Sequence, residues 1–218
     1  MQTIQDIRRQ FRGLRRRKEI RQGTYEIQNA QFICDDDVIF GKRNQEYIDA
    51  EIEWYMNKSL NVQQLFHIYG KKVQIWDQVS SYEGYINSNY GWCVLSECNG
   101  RQYSHVLNEL WDNPNSRRAV MIYTRPDMHT TAFLDGMNDF MCTTHVQYFI
   151  NHNQVDASVY MRSNDAIFGF INDLAWQQTV LKMLAEDLTH HSRPMKPGKI
   201  VWNAGSLHVY ERHWDLIK

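Results

Sequence analysis

From Arg118 to Tyr210 the chain gathers its β-branched and aromatic residues into short runs, interrupted once by a long segment with helical periodicity. This order constrains the fold more than any other feature. Arg118 to Tyr123, Thr144 to Ile150 and Val155 to Met161 read as strands through their Val, Ile, Tyr and Phe content. Asn172 to His190 reads as a helix whose inward side carries Leu174, Trp176, Val180, Leu181, Leu184 and Leu188. Two short strands follow, Lys199 to Asn203 and Leu207 to Tyr210. Strands and helices in this order predict an α+β fold with a mainly antiparallel sheet packed against helices. With 218 residues and no repeat or low-complexity linker, residues 1–218 are read as a single domain with one core.

The first half is more mixed. Arg8, Arg9, Arg12, Arg15, Arg16, Arg17, Lys18 and Arg21 interleave with Ile4, Ile7, Phe11 and Leu14 at helical spacing, which predicts a basic amphipathic helix within residues 1–22. Such a helix is either a solvated face or a surface for RNA or another polyanion. The formal net charge of −1 gives the protein as a whole no such bias. A strand is expected over Tyr25 to Phe32, and a second helix over residues 44 to 58, where Glu51 lies one turn from Tyr47 and Tyr55. Tyr82 to Trp92 is an aromatic-rich loop, either a ligand wall or a cover for the core. A helix from Gln102 to Trp111 stops at Asn113-Pro114. No apolar run approaches the ~18–20 residues that a membrane crossing needs, and the first residues lack a secretion signal. Cys34, Cys93, Cys98 and Cys142 have neither disulfide nor metal-ligand spacing, so a reducing, cytoplasmic setting without a resident metal is expected.

Several residues have chemistry as their simplest explanation. Arg162, Ser163, Asn164 and Asp165, then Gly169, Asn172 and Asp173, set polar groups against Ala166, Ile167, Phe168, Phe170 and Ile171, a pattern suited to reading a phosphate and a polar ring together. Cys142 is either a buried structural thiol or a nucleophile. The second role needs a lowered pKa, for which Arg162 and the pair Arg117-Arg118 are the available cations. Those two arginines follow a tight turn and suit bidentate phosphate binding, or form a plain surface pair. His208 and Tyr210 alternate on a strand and share a face. Cys142 and His145 are three apart on a strand and point to opposite sides, which argues against a protease-like pair.

Taken together, these segments resemble the thymidylate synthase family over nearly the whole chain. The matches fall in the family's order: Arg21-x-Gly23-Thr24, Glu51 in Glu51-Ile52-Glu53-Trp54-Tyr55, Ile75-Trp76-Asp77, Asn89-Tyr90-Gly91, Asn115-Ser116-Arg117-Arg118, Cys142 and Gln147, Arg162-Ser163 with Asp165 and Gly169, and His208-x-Tyr210. Ile86 to Trp92, Asp135 to Thr143 and Gly205 to Tyr210 look closer still to a bacteriophage branch that hydroxymethylates deoxycytidylate. The resemblance implies a thymidylate synthase-like fold, a sheet-mediated homodimer, and host cytoplasm for a viral chain. It also implies dCMP as substrate, 5,10-methylenetetrahydrofolate as co-substrate, and possible contacts with other enzymes of nucleotide synthesis. By the same resemblance Cys142 attacks C6 of the pyrimidine, while Arg21, Arg162 and Ser163 hold the 5′-phosphate, with Arg117 and Arg118 reaching it from the other subunit. His208 and Tyr210 bind the sugar hydroxyl, Gln147 belongs to the nucleotide site, and Glu51 organises water and relays protons. Trp76, Asp165 and Gly169 lie toward the folate, with Tyr90 at the reacting ring.

Asp173 decides the base. The family's synthases carry asparagine there, which satisfies the N3–H and O4 of uracil. Cytosine inverts both groups, and a carboxyl can accept from N4 while sharing a proton with N3. Asp173 therefore predicts dCMP over dUMP, unless it merely caps the helix that follows. Met141-Cys142-Thr143 stands in place of the synthases' Pro-Cys-His, and Met161 in place of a glutamine. The chain's end at Lys218 suggests a short lid, favouring water over hydride at the last step. Alternatives are a dCMP 5-methyltransferase that yields dihydrofolate, a CMP-specific relative, and a non-catalytic RNA-binding protein that uses the basic helix.

Overall fold

A computed structural model of the chain describes residues 1–191 and 194–218. Its regular elements are β1 (Gln2–Thr3), α1 (Ile4–Arg17), β2 (Thr24–Ile33), α2 (Gln45–Met56), α3 (Val62–Tyr69), α4 (Gln74–Val79), α5 (Tyr90–Leu95), α6 (Gln102–Asp112), β3 (Val120–Ile122), α7 (Met128–Thr131), β4 (Thr143–Asn151), β5 (Gln154–Asp165), α8 (Gly169–His191) and β6 (Lys196–Tyr210). The strands form one sheet in the order β1-β2-β6-β5-β4-β3. The sheet is mixed: β1–β2 and β5–β6 are parallel, while the other three pairs are antiparallel. The parallel pair arises because α8 carries the chain from the end of β5 back to the start of β6, which a hairpin cannot do. No described helix is long and apolar enough to cross a membrane.

One face of the sheet is the core. Phe32, Trp202, Val159, Val146 and Met121 stand opposite one another across five strands, and none is exposed. Neighbouring residues on the strands point the other way. Gln31, Asn203, Tyr160 and His145 form a parallel row on the second face, linked by a 2.8 Å Gln31–Asn203 hydrogen bond and by stacking of His145 on Tyr160 at 4.3 Å.

α1 starts at a capping box: the Thr3 hydroxyl accepts from the Asp6 N–H while the Asp6 carboxylate accepts from the Thr3 N–H. It ends at Arg17, with Lys18 in the left-handed region, so it is shorter than the basic stretch suggests, and Arg21 lies beyond it, bridged to Thr24. Much of its charge is internally matched, Arg8 by Asp36, Arg9 by Asp6 and Arg17 by Glu19. The aromatic segment before residue 92 is not all loop. Asn89 caps α5 by accepting from the Trp92 N–H at 2.7 Å, and its own amide N–H groups donate to the Trp54 and Ser59 carbonyls. Gly91 makes this approach possible, because a Cβ there would sit 1.8 Å from the Tyr55 carbonyl oxygen.

β6 is continuous where two short strands are expected. Ala204-Gly205-Ser206 interrupts the β-prone pattern, but pairing with β2 on one side and β5 on the other holds the segment extended. α8 begins at Gly169, not Asn172, because the Asp165 carboxylate accepts from the N–H groups of Ile167 (3.0 Å) and Phe168 (3.3 Å) and turns the chain into the helix. Asp173 thus lies a full turn inside α8, and the helix-capping alternative for it falls away.

Candidate active site

α2, α4, α5 and α8 bring a cluster of acids and aromatics together. Glu51 is 4% exposed and accepts hydrogen bonds from the Tyr47 hydroxyl and, at 3.1 Å, from the Trp76 indole N–H. Burial pushes its carboxyl up to about 7, against the pull of those two donors. Asp173 is raised to about 7 as well, first by burial and then by the charge of Glu51, while Tyr90 and Asn164 hydrogen bonds oppose the rise. The Asn164 amide N–H donates to Asp173 Oδ2 at 2.7 Å. Gly169 makes room for this pair, since a Cβ would stand 3.3 Å from Asn164 Nδ2 and 3.7 Å from Asp173 Oδ2. Tyr90 is packed between Tyr55 and Tyr123, each ring centroid 5.3 Å away, and its hydroxyl is held above its ordinary pKa by burial, then by Asp173 and Cys142. Tyr90 therefore joins the acid cluster to the thiol.

Cys142 leads into β4, and Arg162 of β5 wraps that lead-in. Its guanidinium donates to the carbonyls of Met141 (2.9 Å) and Phe140 (2.6 Å), lies over the Phe140 ring, and reaches Cys142 Sγ at 3.8 Å. The expected lowering of the thiol pKa does not follow. Burial pushes Cys142 up to about 11, with Arg162 pulling down and Asp173 pushing further up. Desolvation of a thiolate here outweighs one partly exposed guanidinium, and the Arg117-Arg118 pair does not share the site within one chain. Arg118 is paired with Glu109 at 3.1 Å, and the Arg117 carbonyl accepts from Gln147 at 3.0 Å.

The C-terminal ends of β5 and β6, with the start of β2, form a third group. Glu26, His208 and Asp165 stand opposite one another on β2, β6 and β5, with Ser163 opposite Ser206. His208 and Tyr210 share a face as expected, their rings edge to face at 4.8 Å. Burial holds His208 below its ordinary value, which favours the neutral ring. Arg21 joins this edge through Glu26, at 3.1 Å. Glu51, Tyr90, Cys142, Arg162 and Asp173 thus form one connected site, with Trp76 on Glu51 and Gly169 under Asp173. Arg21, Ser163, Asp165, His208 and Tyr210 occupy the adjoining strand ends.

Two polar residues in this region have no individual role in the sequence reading. Asn164 carries no visible role as one amide among several polar neighbours. Asp139, buried before Cys142, accepts from the N–H groups of Asn87 and Ser88, both at 2.7 Å, and from the Ser88 hydroxyl at 2.6 Å, pinning the segment that leads into α5. Its apolar surroundings in the sequence are the one available hint.

The arrangement fits chemistry in which a cysteine adds to a ring held by a phosphate clamp, beside two carboxyls that change protonation near neutrality. The family model for thymidylate synthase matches residues 17–218. A deoxycytidylate 5-hydroxymethyltransferase of Enterobacteria phage T4 is 53% identical over 196 residues, 89% of this chain and 78% of that protein. A thymidylate synthase of Bacillus subtilis subsp. natto is 31% identical over 152 residues, 67% of this chain and 51% of its own length. Among solved structures, thermostable thymidylate synthase A from Bacillus subtilis aligns with a TM-score of 0.66 at 27% identity, covering 88% of this chain and 68% of that one. The thymidylate synthase of T4 phage aligns with a TM-score of 0.70 at 21% identity, covering 88% and 70%, and this likeness concerns the fold.

Proposed function

Because the chain belongs to the thymidylate synthase family, we propose that it converts dCMP, 5,10-methylenetetrahydrofolate and water into 5-hydroxymethyl-dCMP and tetrahydrofolate. The observation that carries the reading is Asp173, a half-buried carboxyl raised to about 7 that shares one site with Cys142 and Tyr90. In its protonated form it can donate to cytosine N3 with one oxygen and accept from N4 with the other. An ionised carboxyl facing uracil O4 instead leaves oxygens opposed and buried groups unpaired, at about 1–3 kcal/mol. The 53% identity to a phage enzyme whose name carries dCMP hydroxymethylation supports the same reading.

In this reading Cys142 bonds to C6 of the ring, giving its proton to solvent as it attacks, and C5 becomes the nucleophile. Folate, when bound, would supply the one-carbon unit; C5 takes it up and then releases its own hydrogen as a proton, and the folate leaves as tetrahydrofolate. Glu51, raised to about 7 and hydrogen-bonded to Tyr47 and Trp76, takes the proton from the water that adds to the new exocyclic carbon. Elimination of Cys142 restores the ring. Arg21, Arg162 and Ser163 hold the 5′-phosphate, and His208 with Tyr210 receives the 3′-hydroxyl. Ile75 and Phe168, exposed at 55% and 50% and neighbours in sequence of Trp76 and Gly169, would offer apolar surface to a flat folate ring. Trp76, Asp165 and Gly169 are the residues that would hold it.

The active form in this reading is a homodimer formed through the second face of the sheet, where Gln31, Asn203, Tyr160 and His145 align. Gln147 of the same face grips the Arg117 backbone, which suits delivery of Arg117 and Arg118 to the partner's phosphate site. The test is product identification by mass spectrometry with dCMP, dUMP and CMP in competition. 5-Hydroxymethyl-dCMP from dCMP supports the reading. 5-Methyl-dCMP with rising dihydrofolate absorbance, or preferred turnover of dUMP or CMP, refutes it.

A further inference from the structure

Asn164 is 3% exposed at the end of β5, and its two amide heteroatoms have different fates. Nδ2 donates to Asp173 Oδ2 at 2.7 Å, whereas Oδ1 is buried with no hydrogen-bond partner. A buried orphan acceptor is costly, and native proteins keep one where a ligand or water completes it. This oxygen belongs to the same amide that donates to Asp173, so it stands one amide group away from Asp173 Oδ2. Gly169 leaves the pair just enough room, and any larger residue there presses on Nδ2.

We propose that Asn164 is a second base-reading residue, whose Oδ1 accepts one N–H of the cytosine 4-amino group while Asp173 accepts the other. The assignment rests on the dCMP reading above and deepens it. A 4-amino group brings two donors to two acceptors. A 4-oxo group brings none, so uracil leaves Asn164 Oδ1 unpaired and sets O4 against Asp173 Oδ2. The Nδ2 bond also keeps Asp173 Oδ2 an acceptor, which directs the carboxyl proton to the other oxygen and toward N3.

The experiment measures calorimetric binding and competitive kcat/KM for dCMP, dUMP and N4-methyl-dCMP with the wild type, Asn164→Ala and Asn164→Ser. Methylating the amine blocks one acceptor whichever way the group rotates, so the wild type should bind N4-methyl-dCMP roughly tenfold or more weakly than dCMP. Asn164→Ala should lower the dCMP-to-dUMP ratio by about ten- to a hundredfold and shrink the penalty for N4-methylation to about threefold or less. Asn164→Ser, whose hydroxyl can still donate to Asp173 but leaves no acceptor in the same place, should follow the alanine variant. A folded Asn164→Ala with the wild-type ratio overturns the assignment, and so does a wild type that binds N4-methyl-dCMP as tightly as dCMP, a result that needs no variant. If instead the wild type yields no 5-hydroxymethyl-dCMP, the parent reading fails, while the binding comparison still decides what Asn164 reads.

Discussion

Replacing Asp173 with asparagine should turn the site from cytosine toward uracil, and the structure sets the size of the change. Asn164 Nδ2 faces Asp173 Oδ2 at 2.7 Å. In Asp173→Asn the new amide reads uracil with its N–H toward O4 and its oxygen toward N3–H, and Asn164 turns its own amide over so that Oδ1 accepts from the new N–H. Cytosine loses the proton that the carboxyl shares with N3, at about 1–3 kcal/mol. Against uracil O4 the amide's other N–H finds an acceptor, a gain of similar size. The combined swing is roughly 2–6 kcal/mol, so the dCMP-to-dUMP ratio of kcat/KM should fall by about thirtyfold to twenty-thousandfold. The assay is competition between isotopically distinct dCMP and dUMP, with products read by mass spectrometry and folding checked by thermal unfolding. A folded variant that keeps its preference to within about threefold would show that Asp173 does not read the base, and would remove the main support for dCMP as substrate.

Cys142 should resist alkylation by iodoacetamide at pH 7–8 in the free enzyme and react progressively faster toward pH 11, since burial holds its thiol up at about 11. Peptide mass spectrometry separates it from exposed Cys98, and rapid alkylation at pH 7 would contradict the burial argument. Cys142→Ser should abolish turnover while leaving dCMP binding within about threefold of the wild type, because the phosphate and base contacts remain; normal turnover excludes the covalent step. Glu51 is raised from its ordinary value of 4.5 to about 7, so the folded protein keeps a proton that the unfolded chain has lost, and this group's contribution to stability falls as pH rises from about 4.5 to about 7. Glu51→Gln should therefore show a smaller fall in melting temperature between pH 5 and pH 8 than the wild type does. Gly91→Ala should cost several kcal/mol or abolish folding, because its Cβ meets the Tyr55 carbonyl at 1.8 Å; an unchanged urea midpoint would show that α5 does not lie on α2 as described.

The strands flanking α8, the helix itself and the α+β class are legible because periodicity and β-branched content report local structure directly. The continuous β6 is not, because Gly205 and Ser206 lower the local propensity and only pairing on both sides overrides it. Neither is the start of α8. Asp165 looks from its place beside Arg162-Ser163 like a ligand residue, and its backbone-capping bonds appear only once Ile167 and Phe168 are in place. The individual site residues stand out by chemical type, a thiol, arginines and acids on an apolar background. Their net electrostatics do not, because burial is a property of the assembled fold. A neighbouring guanidinium promises an activated thiol, yet the packing around Cys142 reverses that sign.

The same point governs the pair of carboxyls. Glu51 is buried and Asp173 half-buried beside it, and the charge of Glu51 helps raise Asp173, so their titrations are coupled. An asparagine in place of Asp173 carries fixed donors and a fixed acceptor and needs no proton to read a base. Asp173 needs one, and it draws on the same proton inventory that Glu51 uses toward water. Base recognition and proton relay are therefore coupled in this chain, with a consequence away from the base itself. Wild-type affinity for dCMP should fall as pH rises from 6 to 8, while Asp173 loses the proton it shares with N3. In Glu51→Gln, without the like charge beside it, Asp173 ionises more readily and the fall should begin at lower pH. Titration calorimetry of dCMP across that range, without folate, reads both curves. Coincident curves would mean that the two carboxyls act independently, and that the residue reading the base does not share its proton with the residue that moves one.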